Sequence, residues 1–280
     1  MDKLMKYLMF NLAVILFIPN LSGCHKTSNS LDNVEHFSLE KSSPTAPVSK
    51  NIQMANTIIP KQVVEAVPIL MYHSISVDKN NDLMVAPDTF DGQMKHLDEA
   101  GYHTITFKDL EDWQAGKPIP KKPILLTFDD GYIDNYTTAY PILNKYNLQA
   151  TFFISTSYLG DARHISWENI QEMYDSGLIQ FGSHTKSHPD LTLISTTQRQ
   201  AEIFQSKQKI EEKIGSEVIA FSYPAGVYND VVLKDVSQAG YKFAVTTNSG
   251  NARVEQGLLT LHRVRVHGYY TIEDFAEIFP

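Results

Sequence analysis

Three features are scarce in this 280-residue sequence, and each scarcity narrows the class of protein. There is one cysteine, so no disulfide forms within the chain and a hydrophobic core has to stabilise the fold unaided. Basic residues are in the minority, because 24 Lys and Arg stand against 32 Asp and Glu for a formal net charge of −8. That balance excludes the basic face of a nucleic-acid-binding protein. The apolar run at residues 8–18 is short for a membrane-spanning helix.

The amino terminus has the features of an export signal. Lys3 and Lys6 precede the apolar run, which has the length of a signal-peptide core, and Leu-Ser-Gly-Cys follows at residues 21–24. This segment resembles the lipobox of bacterial lipoproteins. The resemblance implies a signal peptide over residues 1–23, lipid attached to Cys24, and a protein anchored outside the cytoplasm to the bacterial cell membrane. An uncleaved anchor, or a secretory signal with an incidental cysteine, is the alternative.

The rest of the chain divides into a tether and one folded domain. Residues 24–62 are predicted to be the lipidated cysteine and a flexible tether, because they are polar and lack any helical or alternating apolar period. Residues 63–280 are predicted to fold, since short apolar runs alternate there with amphipathic helical stretches. This alternation predicts a parallel α/β fold closed as a barrel. The predicted strands are 67–72, 104–106, 123–128, 150–154, 178–182, 220–223, 242–246 and 261–266. The predicted helices are 87–100, 135–146, 167–176, 196–214 and 229–239, and glycines suited to left-handed helix caps are Gly101, Gly177, Gly215 and Gly240.

Polar clusters follow three of the predicted strands, at the strand ends where such folds carry their chemistry. The first is Thr-Phe-Asp-Asp-Gly at residues 127–131. Asp129 and Asp130 repel each other unless a cation or a proton lies between them. Gly131 permits the tight turn that brings both carboxylates to one cavity. An exposed Asp-Asp-Gly turn without a function is the alternative for this segment taken alone.

The second cluster is His-Thr-Lys-Ser-His at residues 184–188. His184 and His188 share one face if the backbone forms a helical turn, and both imidazoles then reach one ion. Two histidines, one carboxylate and an open water position make up a catalytic zinc set. A structural or solvated histidine pair is the alternative, but the Asp pair at the same edge of the sheet favours a metal site.

The third cluster is Phe-Ser-Tyr-Pro-Ala-Gly at residues 221–226. Its proline and glycine shape a rigid wall, and a free backbone N–H there can point at a developing oxyanion. Taken alone, the segment is a turn. Tyr223 and Pro224, together with Trp167, are predicted to contact a substrate, and core packing is the alternative for such aromatic side chains. Six histidines outside these clusters are interpreted as surface or structural residues: His25, His36, His96, His103, His164 and His267.

Together these clusters resemble the NodB-homology polysaccharide deacetylases, carbohydrate esterase family four, with their Thr-Phe-Asp-Asp-Gly and His-Ser/Thr-x-x-His motifs. The resemblance covers residues 67–279 and implies a distorted (β/α)7 barrel. It implies that Asp129 is the general base that deprotonates the attacking water and that the N–H of Ala225 helps to hold the oxyanion. The metal ligands implied are Asp130, His184 and His188. Zn²⁺ is the default ion, with Co²⁺ or Ni²⁺ as alternatives, because this ligand set does not select among them.

The sequence departs from the common family pattern at the residue that orients the base. Ser222 stands where most members carry an arginine. Arg263 and Arg265 alternate along the last predicted strand, so one of them is expected to face the site as the partner of Asp129.

A second departure concerns the general acid. The usual Leu-x-His motif near the carboxyl terminus is not matched, and His262 remains only a reserve candidate. Met-Tyr-His at residues 71–73 instead resembles the permuted subgroup that includes the poly-β-1,6-N-acetylglucosamine deacetylases. That resemblance implies His73 as the general acid. A strand-end histidine bonded to the backbone is the alternative.

The function predicted from this resemblance is metal-dependent removal of N-acetyl groups from N-acetylglucosamine-containing cell-surface polysaccharide, with poly-β-1,6-N-acetylglucosamine preferred. Peptidoglycan, chitin oligomers and O-acetyl xylan are alternative substrates for the same chemistry. A catalytically silent glycan-binding lipoprotein is the alternative from another class. The predicted partners are the polysaccharide and, through the lipid anchor, the membrane; no nucleic acid is expected, and the protein is predicted to be a monomer.

Overall fold

The computed structural model describes residues 66–78 and 80–280. The predicted signal peptide, the lipidated Cys24 and the tether lie outside the described residues, so their assignment stays a prediction. Within the described ranges, no helix combines the length and the apolar composition needed to cross a membrane.

The described residues form a closed parallel barrel surrounded by helices. The strands are β1 Ile69–Tyr72, β2 His103–Thr104, β3 Pro123–Phe128, β4 Ala150–Ile154, β5 Ile179–Ser183, β6 Ala220–Ser222, β7 Phe243–Ser249 and β8 Leu261–Arg265. Seven strands pair in the order β1–β3–β4–β5–β6–β7–β8, and β8 pairs with β1 to close the ring. Strand β2 pairs with the first two residues of β3, and β1 pairs with the remaining four. The helices are α1 Pro87–Glu99, α2 Phe107–Gln114, α3 Tyr140–Lys145, α4 Trp167–Asp175, α5 Thr196–Ile214, α6 Asp230–Gln238 and α7 Ile272–Ile278. The predicted (β/α)7 barrel is confirmed.

The strands are apolar on both faces because each face has a core to join. All residues of β3 and β4 are buried, as expected for parallel strands covered on both sides. Alternate residues, among them Leu125 and Phe153, fill the barrel interior, where Phe107 of α2 joins them. The intervening residues, such as Leu126 and Phe152, pack under the surrounding helices. The same alternation places Thr127 and Asp129 on the interior side of β3, which fixes where the chemistry lies.

Several local features differ from the sequence predictions. Helices α2 and α7 were not predicted, although Thr106 and Thr271 each cap them in a reciprocal capping box with an aspartate three residues on. The single helix predicted over residues 135–146 is a π-helical turn, Asn135–Ala139, followed by α3, whose first turn contains Pro141. Proline has no N–H to donate, so it interrupts the regular hydrogen-bond ladder there. All four predicted cap glycines have positive φ, between 68° and 82°.

Candidate active site

The centre of the site is a buried ion pair between Asp129 and Arg263. Asp129 follows β3, and Arg263 reaches it across the barrel interior from β8. The guanidinium donates two parallel hydrogen bonds, Nη1 to Oδ1 at 2.8 Å and Nη2 to Oδ2 at 2.6 Å. Asp129 is 2% exposed and Arg263 is 1% exposed. Arg263 also donates to the Thr246 carbonyl at 2.9 Å and to Oγ1 of Thr127 at 3.2 Å. Both partners are therefore held in one orientation.

This pairing sets the protonation state of Asp129. Burial by itself raises the pKa of a carboxyl group, but the charge and the hydrogen bonds of Arg263 outweigh it and hold the pKa of Asp129 well below its ordinary value. The Asp129 side chain is therefore a carboxylate at neutral pH. Arg265, the other predicted partner, lies elsewhere, with Nη2 3.2 Å from Oδ2 of Asp82.

Asp130, His184 and His188 converge on one point beside this pair. Their three donor atoms lie within 4.8 Å of one another, with Oδ1 of Asp130 3.5 Å from Nε2 of His184 and 3.7 Å from Nε2 of His188. Two ligands of a tetrahedral zinc ion, each about 2.1 Å from it, are about 3.4 Å apart. Donor chemistry and spacing therefore both fit a divalent metal with further positions open.

The two imidazoles present the correct nitrogen to that point. Nδ1 of His184 lies 2.7 Å from the Ser222 carbonyl, and a carbonyl can only accept, so Nδ1 carries the hydrogen and Nε2 keeps its lone pair. Burial and the neighbouring His184 lower the pKa of His188, which favours the neutral ring that a metal requires.

The backbone that brings these ligands together is not the helical turn that the histidine spacing suggested. Residues 184–188 form a loop in which Thr185 has φ 67° and His188 has φ 56°. Asp130 and Gly131 are also left-handed, with φ values of 74° and 76°. Non-glycine residues in this region cost about 1–3 kcal/mol each and persist where the surroundings hold them. The two imidazoles therefore reach one point without the helical turn that the sequence analysis gave as a condition, because two left-handed residues bring the rings together.

His73 lies at the end of β1, next to the same carboxylates. The backbone N–H of Asp129 donates to the Tyr72 carbonyl at 3.0 Å, which brings the ends of β1 and β3 together. Burial lowers the pKa of His73, while the charges of Asp129 and Asp130 oppose that shift. The reserve candidate His262 points away from this cluster, since it alternates with the interior residue Arg263 and its Nδ1 lies 3.3 Å from the Ser249 carbonyl.

The third cluster, residues 221–226, offers the site a backbone N–H group and not the side chains that were predicted to contact substrate. Ala225 is exposed with φ 52°, and within the described residues its N–H donates to no acceptor. The structure gives the predicted sugar contact of the Tyr223 side chain no support and favours the packing alternative, because the ring is fully buried and its hydroxyl donates to the Leu259 carbonyl at 3.0 Å. Pro224 is buried as well.

Trp167 does not line the cavity at the metal ligands. Its ring packs against the core, and Nζ of Lys209 and Nζ of Lys213 lie 5.5 and 5.8 Å from its centroid. This placement gives the predicted substrate contact of Trp167 no support and favours the packing alternative.

An open cavity of about 290 Å³ adjoins two of the metal-ligand candidates, Asp130 and His188. Its wall contains the buried His164, whose ring stacks between Tyr132 and Tyr158 at centroid distances of 5.5 and 5.2 Å. Sequence reasoning treated His164 as surface or structural, and no motif signalled that it borders the site. The remaining lining residues are Tyr132, Tyr158 and Arg163.

The sequence is similar to those of known polysaccharide deacetylases. The family described as "Polysaccharide deacetylase" matches residues 116–244. The Bacillus subtilis (strain 168) protein YxkH, whose name places it among the polysaccharide deacetylases, is 42% identical over 201 residues, 71% of each chain. The poly-β-1,6-N-acetyl-D-glucosamine N-deacetylase of Staphylococcus aureus (strain MSSA476) is 26% identical over 92% of this chain and 93% of its own.

The fold is also similar to those of solved deacetylase structures. The Streptococcus pyogenes deacetylase PplD, in complex with acetate, superposes with a TM-score of 0.73 at 35% identity, covering 77% of this chain and 98% of that one. A polysaccharide deacetylase from Bacillus cereus superposes with a TM-score of 0.69 at 35% identity, over 76% and 68% of the two chains. This barrel carries a deacetylase-type hydrolase site. The chain belongs to the polysaccharide deacetylase family.

Proposed function

We propose that this protein is a metal-dependent enzyme that removes N-acetyl groups from N-acetylglucosamine-containing cell-surface polysaccharide. The observation that carries the proposal is the triangle of Asp130, His184 and His188 beside the buried, ionised Asp129. A binding protein would gain nothing from this arrangement, because a buried carboxylate and a strained ligand loop both cost stability.

In the proposed reaction Asp129 accepts a proton from the attacking water. Arg263 keeps Asp129 ionised and fixes both of its oxygens, leaving lone pairs free to accept that proton. The low pKa of Asp129 makes it a weak base, so it works only on a water made more acidic. A divalent ion on the three ligands would supply that acidification and would polarise the acetyl carbonyl.

Two further groups complete the proposed chemistry. His73, beside Asp129 and Asp130, is assigned as the acid that protonates the departing amine, whose expulsion is otherwise unfavourable. The N–H of Ala225, which has no acceptor among the described residues, is assigned to the negative oxygen that develops on the acetyl carbonyl. Ser222 lies between the metal ligands and Ala225 along the chain. Its carbonyl orients the His184 ring, and its strand, β6, continues into the segment that contains Ala225.

The preferred substrate is poly-β-1,6-N-acetylglucosamine. The full-length similarity to a protein named for that activity supports it, as does the position of His73 at the end of the first strand. Peptidoglycan, chitin oligomers and O-acetyl xylan are the competing substrates.

The deciding experiment measures bound metal and acetate release on these four substrates side by side. Asp129→Asn should retain the metal and lose about 10²–10⁴-fold in turnover, as for removal of a general base. Asp175→Asn, an exposed substitution at the end of α4, is the matched control. A protein without divalent metal whose acetate release survives a chelator would refute the metal mechanism. Glycan binding without acetate release would identify a silent binding protein.

We also propose that Cys24 carries the lipid anchor that holds the domain outside the cytoplasm. The basic, apolar and Leu-Ser-Gly-Cys segments in sequence support this assignment. Mass spectrometry of the membrane-bound protein should find a chain that begins at Cys24 and carries a lipid on its sulfur. If the membrane-bound chain still contains residues 1–23, an uncleaved amino-terminal segment is the better explanation.

A further inference from the structure

Glu202 of α5 is bonded to the loop that carries two of the three candidate metal ligands. Its Oε2 accepts the backbone N–H of Lys186 at 2.8 Å and that of Ser187 at 2.7 Å. Its Oε1 accepts the Ser187 hydroxyl at 2.6 Å. Hydrogen bonds to a carboxylate are stronger than those between neutral groups, so this is a firm attachment of loop to helix.

The loop, residues 184–188, needs such an attachment. Thr185 and His188 are both left-handed without being glycine, an arrangement that relaxes unless neighbouring contacts oppose it. The Thr185 hydroxyl accepts the N–H of His188 at 3.0 Å, and the Ser187 carbonyl accepts the Tyr158 hydroxyl at 2.8 Å. The segment 155–158 also bonds the loop, with the N–H of Ser157 donating to the Lys186 carbonyl at 2.7 Å. Glu202 supplies three bonds from one side chain, and two of them are to Ser187, which directly precedes His188.

We propose that Glu202 is a positioning residue for the metal site. Among the described residues, Glu202 does not line the cavity beside Asp130 and His188, and it accepts hydrogen bonds only from Lys186 and Ser187. It holds Lys186 and Ser187 so that the His188 imidazole already faces Asp130 before a metal binds. The inference rests on the proposed function, since it requires that Asp130, His184 and His188 bind a divalent ion.

The test is the Kd for Zn²⁺ of the full chain, measured by competition with a chromophoric chelator. Glu202→Ala should raise the Kd by about 10–100-fold, as expected when a group that orients a ligand is lost. Glu202→Gln should lie near the wild type, because its amide oxygen can still accept the two N–H groups while its NH₂ donates to the Ser187 hydroxyl. Glu212→Gln is the control, since it removes one charge from the same helix and its carboxylate bonds only Gln208 among the described residues.

A role in folding alone would lower the unfolding temperature of Glu202→Ala while the folded fraction kept the wild-type Kd, and that result overturns the inference. If Glu202→Ala does not fold, Ser187→Ala decides, because it removes one of the three bonds without leaving a buried charge. An increased Kd in Ser187→Ala supports the inference, and an unchanged Kd overturns it. A wild-type chain that binds none of Zn²⁺, Co²⁺ and Ni²⁺ refutes the proposed function itself, which is a different result.

Discussion

Replacing Arg263 by methionine tests how the buried ion pair stabilises the protein. The substitution keeps much of the side-chain volume. It leaves the Asp129 carboxylate, which is 2% exposed in the wild type, without its cation. Removing one member of a buried pair costs about 3–5 kcal/mol, because the remaining charge is uncompensated. That is a large part of the 5–15 kcal/mol that typically separates folded from unfolded domains. Arg265→Met is the control: its pair with Asp82 is partly exposed, so we expect a loss of about 0–1 kcal/mol.

The assay is urea unfolding of the metal-free chain at neutral pH, with a third variant that combines Arg263→Met and Asp129→Asn. If the unpaired charge causes the loss, the double variant should be more stable than Arg263→Met alone, since the amide carries no charge to desolvate. A double variant no more stable than the single one would refute this reasoning.

The pH dependence provides a second check with a definite sign. In the wild type the pKa of Asp129 is lower in the folded state than the unfolded value of about 3.9, so its stabilisation is present at neutral pH and is lost as the pH falls below about 4. Without Arg263, burial dominates and raises the folded pKa above the unfolded one. The stability difference between wild type and Arg263→Met should therefore narrow as the pH is lowered from 7 towards the unfolded pKa of about 3.9.

Three further substitutions probe separate parts of the molecule. His73→Ala should lower the turnover by about 10²–10⁴-fold with the metal content unchanged, measured by acetate release and metal analysis. Tyr223→Phe should cost about 1 kcal/mol of unfolding free energy through loss of the bond to the Leu259 carbonyl, and should leave KM unchanged because the ring is buried. Asp235→Asn should destabilise by about 3–5 kcal/mol by unpairing the buried Arg199, while the Kd for Zn²⁺ stays at the wild-type value.

The barrel could be predicted from the sequence because its strands are buried on both faces. Strands β3 and β4 have the predicted bounds, Pro123–Phe128 and Ala150–Ile154, since continuous apolar runs end abruptly at polar residues. The position of Asp129 followed from the predicted end of β3, and that of His184 from the predicted end of β5, which the structure places one residue later. Strand β2 has only two residues, and its pairing with β3 depends on the tertiary structure, so its bounds were predicted less well.

The precise form of the site could not be predicted in the same way. The left-handed backbone at residues 185 and 188 could not be predicted locally. Positive φ is unusual for a β-branched residue such as Thr185, and histidine adopts it only in a minority of cases. The contacts that hold this backbone come from α5 and from Tyr158. Glu202 lies in a helix rich in charged and amide side chains, where nothing distinguishes it until the loop is seen against it. Tyr223 was predicted to contact substrate because it lies in a turn with proline and glycine. Its position directly after β6 instead places the ring in the hydrophobic core.

The exchange of arginine for serine at position 222 has a physical explanation in this barrel. The Oγ of Ser222 is buried and lies 3.3 Å both from Oδ2 of Asp129 and from Nη2 of Arg263. A guanidinium on residue 222 would enter the space that Arg263 already fills and would add a second buried positive charge to one carboxylate. Asp129 needs one cation, and strands β6 and β8, which flank β7, can each deliver it to the barrel interior. The small Ser222 on β6 therefore leaves room for Arg263 on β8. A motif search confined to β6 would not find the arginine that pairs with Asp129.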